Sequence, residues 1–240
     1  MTYLVVLPTY NERPNLERVA AGILVHEGSR LLVVDDNSPD GTGQIADDLA
    51  ATRYPGRVEV IHRTGPRGLG RSYVDGLRRA LSTDADVICQ MDADMSHDPR
   101  YLPDLIAATS RYDLVLGSRY LGEKVAVVNW PLHRILLSAF ANRYIRFVTG
   151  LSPYDCTSGF RAWRRHALAT LPLEESRAGG YAFLTEMLFE AAQLGCTMGE
   201  VPIVFVERQE GYSKLSSHVL IESLLTPWRL ILHGGRIRRA

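Results

Sequence analysis

Short apolar runs alternate with helical apolar spacing through the first half of the chain. Residues 3–7 form a continuous apolar run that stops at Pro8, and residues 16–25 carry apolar side chains at helical spacing after Pro14 and Asn15. Runs at 31–34, 58–61, 87–91 and 114–117 read as further strands, with helices at 45–49, 73–81 and 102–108. Continuous apolar runs mark strands covered on both faces. Their alternation with helices predicts βαβ units and a mostly parallel sheet.

After Gly117 the rhythm changes. A loop through Gly122, Glu123 and Lys124 precedes a longer helical segment at 131–148. A Cys-Thr-Ser-Gly loop, an apolar run at 160–163, helical stretches around Leu168 and at 183–194, and a strand at 201–206 follow. A polar loop at 207–217 leads to a terminal helix. No linker or repeat breaks the chain. The expected organisation is one α/β domain with a nucleotide-binding half at 1–117 and an acceptor half at 118–217, then a basic amphipathic helix and tail at 218–240.

Composition removes several classes. The 240 residues are 46% hydrophobic, which excludes a disordered chain. Lys and Arg number 27 and so do Asp and Glu, so the basic excess of a nucleic-acid binder is missing. Cys89, Cys156 and Cys196 lie far apart without metal-ligand spacing, which argues against a zinc site or a disulfide framework and fits a reducing compartment. The N-terminus reads as a strand rather than a signal peptide, and no window is apolar enough for a membrane span. The expected location is cytoplasmic, with contact to a membrane surface left open.

In open parallel sheets, ligands bind beyond the carboxyl ends of the strands. Pro8-Thr9-Tyr10-Asn11-Glu12 follows the first predicted strand, Asp35 through Thr42 the second, Asp92 through His97 the fourth and Ser118-Arg119-Tyr120 the next. Asp40 and Asn15 read as turn and cap residues. Asp92 and Asp94, alternate residues of an extended segment, can face one point. Two carboxylates there suit Mg²⁺ or Mn²⁺ bound together with a substrate phosphate. Asp35-Asp36 can accept hydrogen bonds from a base or ribose; a phospho-receiver pocket would need its paired acids after the first strand. No GxGxxG or Walker loop occurs. Arg67-Gly68-Leu69-Gly70, basic and at a helix start, either holds phosphate or merely turns.

Two segments read in two ways. Arg134, Ser138, Asn142 and Arg146 lie four apart and form one polar stripe. By itself this is an amphipathic helix packed on the sheet with a solvated charged face. The alternative is an interfacial helix, entered at Trp130, whose basic stripe guides a lipid phosphate. The terminal segment is apolar but broken by Glu222, Ser223, Pro227 and Arg229, with Arg236, Arg238 and Arg239 beyond. It reads as membrane-surface attachment, a docking surface, or a packed helix with a solvated tail.

Leu7 through Glu12, Val33 through Thr42 and Met91 through His97 together resemble the family 2 inverting glycosyltransferases of the GT-A fold. Gly117 through Tyr120, Asp155 through Arg161, and Glu207, Arg208, Gly211, Ser213 and Lys214 narrow the resemblance to dolichyl-phosphate mannose synthases and their bacterial polyprenol-phosphate counterparts. It runs in order from residue 3 to about residue 217.

That resemblance implies transfer of mannose from GDP-mannose to a polyprenyl phosphate, with a divalent cation, Mg²⁺ or Mn²⁺. Pro8, Tyr10, Glu12, Val34 and Asp36 would hold guanosine. Asp92, Ala93 and Asp94 would hold the diphosphate, with Asp92, Asp94 and Ser96 as the metal shell; Ser96 stands where some relatives have Gln. Arg119, Arg208 and Lys214 would contact donor phosphates and sugar, and Arg134 and Ser138 the acceptor phosphate. Asp94, Arg119 and Arg208 would carry catalysis. A phosphate acceptor needs no general base, so His97 reads as structural. Some relatives depend on a membrane-embedded partner subunit. The alternatives are glucosyl transfer from UDP-glucose to a polyprenyl phosphate and a non-catalytic nucleotide-sugar-binding subunit.

Overall fold

The computed structural model describes residues 1–121, 124–173, 182–206 and 217–234. Its first half is built from β1 (Tyr3–Thr9), α1 (Leu16–Leu24), β2 (Ser29–Asp35), α2 (Thr42–Asp48), β3 (Val58–His62), α3 (Leu69–Leu81), β4 (Val87–Gln90), α4 (Leu102–Ala108) and β5 (Leu114–Ser118). Every residue of β1 is buried, as its unbroken apolar run requires. Tyr3, Val5 and Leu7 pack into one apolar layer and Leu4 and Val6 into the opposite one, the two-residue period of a strand. Helix α1 buries Leu16, Val19, Ala20, Ile23 and Leu24, the helical stripe visible in the sequence.

The second half adds β6 (Tyr120–Leu121), β7 (Lys124–Val125), β8 (Val127–Val128), α5 (Leu132–Thr149), β9 (Arg161–Arg164), α6 (Arg165–Leu168), α7 (Ala182–Gln193), β10 (Met198–Pro202), β11 (Phe205–Val206) and α8 (Ser217–Gly234). Among the described residues the main sheet has the order β10-β5-β9-β4-β1-β2-β3. Strands β2 and β3 lie on one side of β1 and β4 on the other, so the order reverses beside β1. Ligand crevices of open sheets form at that point. Strand β9 runs antiparallel between β4 and β5 because the chain enters it from the ligand-side rim, through the loop at 155–160.

Three elements differ from the sequence expectation. Helices α2 and α3 start at Thr42 and Leu69, earlier than the apolar spacing suggests, because their first turns are polar or glycine-containing. The strand expected at 201–206 is two strands. β10 begins at Met198 opposite Leu114 and stops at Pro202, which has no N–H to continue a ladder. β11 then leaves the main sheet and pairs with β8. Asn15 stands at the N-cap of α1 but makes no side-chain cap bond; its amide donates to Glu12 Oε2 at 2.9 Å.

Helix α8 packs on α5 and α7: the Tyr144 hydroxyl donates to the Leu224 carbonyl (2.8 Å) and Gln193 Nε2 to the Gly234 carbonyl (2.7 Å). No described helix is long and apolar enough to cross a membrane.

Helix α3 approaches β1 and β2 so closely that a Cβ on Gly76 would lie 2.5 Å from Val6 Cγ1 and 2.8 Å from Val34 Cγ2. We expect Gly76→Ala to cost about 1–3 kcal/mol through overpacking and to lower Tm by several degrees. Thermal unfolding checks this, and an unchanged Tm would mean that α3 can move off the sheet at little cost.

Candidate functional site

The loops that leave the carboxyl ends of the strands carry unusual backbone. Asn11 after β1, Asn37 after β2, Met95 after β4 and Asn129 after β8 all have positive φ, between 58° and 64°. Asparagine tolerates this region, whereas methionine is strained there. Such strain gathers where side chains are aimed for function.

The first two loops are tied by buried acids. Asp35 accepts from the Ser38 hydroxyl (2.6 Å), the Ser38 N–H (3.1 Å) and the Thr9 hydroxyl (3.2 Å). Asp36 accepts from Arg63 through Oδ1 and from the Gly68 N–H through Oδ2 (2.8 Å). Arg63 is itself buried and also donates to Asp75 Oδ2 (2.6 Å) and the Pro66 carbonyl (3.2 Å). Asp40 is the turn residue expected: it accepts from the Thr42 hydroxyl (2.6 Å) and N–H (3.0 Å) at the start of α2. Tyr10 lies under the Arg67 guanidinium, 4.9 Å from ring centroid to carbon, and the two are hydrogen-bonded. Glu12 holds its loop by accepting from Asn15, and its backbone N–H donates to Thr42 Oγ1 (3.0 Å). Pro8 sits opposite Val34 in the β1–β2 pair, so both help form the sheet floor beneath these loops.

After β4, Asp92 is part-exposed at the rim while its neighbours are locked. The buried Tyr73 hydroxyl donates to Asp92 Oδ1 (3.0 Å). Burial first, and then the Asp92 charge, push the Tyr73 phenol well above its ordinary value, so it remains a neutral donor. Asp94 Oδ1 accepts the N–H of the buried Ser96 (3.1 Å), and Ala93 between the two acids is buried. His97 Nδ1 accepts the Asp92 N–H (3.1 Å). Its ring stacks on Phe160 at 5.1 Å and meets the edge of Phe205 at 5.6 Å. A nitrogen already accepting a backbone hydrogen bond in such packing orients the loop, as expected for a structural histidine.

Among the described residues no third histidine, cysteine or acid joins Asp92 and Asp94. Two hard oxygen donors at a rim do not make a protein cage. They fit Mg²⁺ or Mn²⁺, which take their remaining ligands from phosphate and water.

The other side of the crevice is built around Arg119. Its Nε and Nη2 donate to Asp155 Oδ2 and Oδ1, both at 2.7 Å, its N–H donates to Oδ2 (3.0 Å), and Nη2 also reaches Thr157 Oγ1 (2.7 Å). The guanidinium is bracketed by Phe205, Trp130 and Tyr120 at 5.4, 5.6 and 5.7 Å. Burial disfavours both charges of the pair. Their mutual attraction outweighs it, holding Asp155 below and Arg119 above their ordinary values.

Helix α5 turns its polar stripe inward. Asn142 is 2% exposed and donates to the Ser138 carbonyl (3.1 Å) and Thr157 Oγ1 (3.4 Å). Arg134 lies 4.3 Å over the Trp130 ring and Arg146 4.4 Å over Tyr154. The apolar side faces outward: Leu132, Leu136, Phe140 and Phe147 are 61–73% exposed. This corrects the reading of a sheet-packed helix with a solvated charged face. Leu224, Leu225, Trp228 and Leu232 of the adjacent α8 are exposed too.

The structure therefore gathers Pro8, Tyr10, Glu12, Val34 and Asp36 at the β1–β2 rim, Asp92, Ala93, Asp94 and Ser96 at the β4 rim, and Arg119, Arg134 and Ser138 across from them. Arg208, Gly211 and Lys214 lie outside the described residues. Four groups were not singled out from sequence: Tyr73 beneath Asp92, Arg63 beneath Asp36, Asp155 beneath Arg119, and Arg161. Arg161 is fully buried, donates to the Ser158 carbonyl (2.8 Å), and is pushed down by burial to about 10. Asp155 and Arg161 stand in a motif quoted for its resemblance. Tyr73 had no signal beyond membership of an apolar helix stripe.

The profile of glycosyl transferase family 2 matches residues 4–171. Polyprenol monophosphomannose synthase of Mycolicibacterium smegmatis is 42% identical over 99% of this chain and 89% of its own length. Undecaprenyl-phosphate mannosyltransferase of Micrococcus luteus is 43% identical over 99% and 98%. Glucosyl-3-phosphoglycerate synthase of Mycobacterium tuberculosis, solved in complex with Mn²⁺, UDP and glucosyl-3-phosphoglycerate, superposes with a TM-score of 0.65 at 22% identity, over 98% of this chain and 80% of that one. This last likeness is one of fold.

Removing one partner of a buried ion pair leaves the other charge stranded. Asp155→Ala is expected to destabilise by about 3–5 kcal/mol, and Asp155→Asn, which keeps the shape and an acceptor oxygen, by less. Because the folded Asp155 lies below its ordinary value, the stabilisation is present at neutral pH and lost as pH falls through the folded value. Denaturant unfolding of both variants checks this; equal stability of Asp155→Ala and the unmutated protein would show that Arg119 finds another partner.

Proposed function

The chain belongs to glycosyl transferase family 2, with a GT-A fold in a single domain, and from that premise we propose that it transfers mannose from GDP-mannose to a polyprenyl phosphate, with inversion, to give polyprenyl phosphomannose. The two mannosyltransferase relatives support the sugar and the acceptor class. The observation that carries the proposal is the orientation of α5. Its Arg134–Ser138–Asn142 stripe turns toward the crevice that holds Arg119 and faces Asp92 and Asp94, while Leu132, Leu136, Phe140 and Phe147 lie exposed on its outer face. An acceptor with an anionic head and a hydrocarbon tail matches both faces at once.

The reaction needs little acid–base chemistry. An oxygen of the acceptor phosphate, already anionic, attacks the anomeric carbon. The new oxygen–carbon bond forms as the bond from the anomeric carbon to the diphosphate oxygen breaks, and GDP leaves with the electron pair. One displacement inverts the centre, so an α-linked donor gives a β-linked product. Asp92 and Asp94, with Ser96 beside them, would hold a divalent cation, which would supply positive charge for the leaving diphosphate. Tyr73 orients Asp92, and the Ser96 N–H orients Asp94. Arg119 sets the far wall, and Arg134 and Ser138 meet the acceptor phosphate. Arg208 and Lys214 complete the charge around the phosphates.

In this reading residues 1–117 bind the donor and 118–217 the acceptor, while 218–240 dock with α5 on a membrane surface at its cytoplasmic face. The exposed apolar residues of α5 and α8 support that docking, with or without a membrane-embedded partner subunit.

Labelled mannose should pass from GDP-mannose to polyprenyl phosphate only with Mg²⁺ or Mn²⁺, and glucose from UDP-glucose should not. Label transferred only from UDP-glucose would overturn the donor. Asp94→Ala should lower turnover about a hundredfold or more with the fold intact; near-normal turnover would remove Asp94 from the cation site. Arg208→Ala should likewise lower turnover without changing Tm, and unchanged turnover would place Arg208 outside the site.

A further inference from the structure

The basic turn at Arg67-Gly68, left between phosphate binding and a plain turn by the sequence, has a more specific geometry. The Gly68 N–H, at the start of α3, donates to Asp36 Oδ2 at 2.8 Å, so that amide is engaged with a carboxylate. On the other side of Arg67, the Pro66 carbonyl accepts from Arg63 Nη2 at 3.2 Å. Arg63 in turn is held by Asp36, by Asp75 and, through its N–H, by the Asp35 carbonyl (2.8 Å). Both chain neighbours of Arg67 are therefore anchored to buried groups, while Arg67 itself is exposed. The anchors present its guanidinium over the Tyr10 ring, 4.9 Å from the centroid.

The sheet order says what lies beside this pair. With a diphosphate at Asp92 and Asp94 after β4, a nucleoside can extend toward β5 or toward β1, β2 and β3. The β5 side is filled by Arg119, Asp155, Trp130 and α5. The nucleoside therefore lies over the ends of β1, β2 and β3, where Tyr10, Asp36 and the turn at 63–68 meet. Asp36 already accepts from Arg63 and Gly68, one on each oxygen. Arg67 is an exposed cation of this edge, held over Tyr10, whereas the exposed Arg13 is bonded to Asp40.

A guanidinium presents two parallel N–H donors. Guanine presents two adjacent acceptors, O6 and N7, which such a fork meets bidentately. Uracil has no matching acceptor pair on one edge. We propose that Arg67 is a specificity-determining residue that reads the O6/N7 edge of the donor's guanine while Tyr10 supports the ring. The inference rests on the GDP-mannose reading above and adds to it the group that selects guanine over uracil.

Calorimetric binding of GDP and of UDP, each with Mn²⁺, to the full chain tests it with Arg67→Ala and Arg67→Lys, thermal unfolding confirming that each variant folds. The unmutated protein is expected to prefer GDP. Arg67→Ala should weaken GDP about tenfold or more while leaving UDP unchanged. Arg67→Lys, which keeps the charge but not the fork, should behave like Arg67→Ala. Equal weakening of GDP and UDP would place Arg67 on the shared phosphates and overturn the inference. So would unchanged GDP affinity in Arg67→Ala, or full recovery by Arg67→Lys. An unmutated protein that binds UDP as tightly as GDP would overturn the donor reading itself, and the inference with it.

Discussion

The bidentate pair between Arg119 and Asp155 holds the crevice in shape. Arg119 follows β5, and Asp155 opens the loop that enters β9. Glu200 of β10 receives the N–H groups of Tyr154 and Asp155 at 2.8 and 3.0 Å, and Thr157 links the pair to Asn142 of α5. Three strands and a helix thus meet at one buried ion pair. Pairs of this kind add little net stability over an apolar core, but they tolerate few alternative geometries. The constraint is chiefly one of placement: it fixes where the chain reverses into β9 and where Trp130, Phe205 and α5 stand relative to the β4 rim.

The acids of the rim divide by their partners. Asp35, Asp36, Asp40 and Asp155 each accept several hydrogen bonds from nearby hydroxyls, amides or guanidinium groups. They organise loops. Asp92 and Asp94 sit just before the positive-φ residue Met95 and are steadied through Oδ1, Asp92 by the Tyr73 hydroxyl and Asp94 by the Ser96 N–H. The partners of the first four lie in the loops they organise, whereas Asp92 stands part-exposed at the β4 rim, although all six have the same charge.

Helix α5 shows how periodicity by itself leaves a polar stripe with two readings. A helix with one polar side ordinarily turns that side to water. Here the neighbours are Thr157, Trp130 and Tyr154, which offer hydrogen bonds and ring faces, so the stripe turns inside and the leucines and phenylalanines lie outside. With α8 beside it, the outer surface exposes leucines, phenylalanines and a tryptophan on two helices, and no described helix is long and apolar enough to cross a membrane.

The alternation of apolar runs and helical stripes determined the parallel sheet, the order of its elements and the rim where chemistry collects, because burial on both faces leaves a local signature in each run. The acidic pair after β4 was legible for the same reason: its position follows from the strand before it. The direction of α5 was not legible, since periodicity reports that a helix has two sides and not which side meets protein. Nor were the partners of Arg63, Tyr73 and Asp155, which lie 12 to 36 residues from the groups they hold. Such contacts are set by how strands return to the sheet. Only the tertiary structure could decide them, because a hydrogen bond between distant residues depends on where the whole chain has placed both ends.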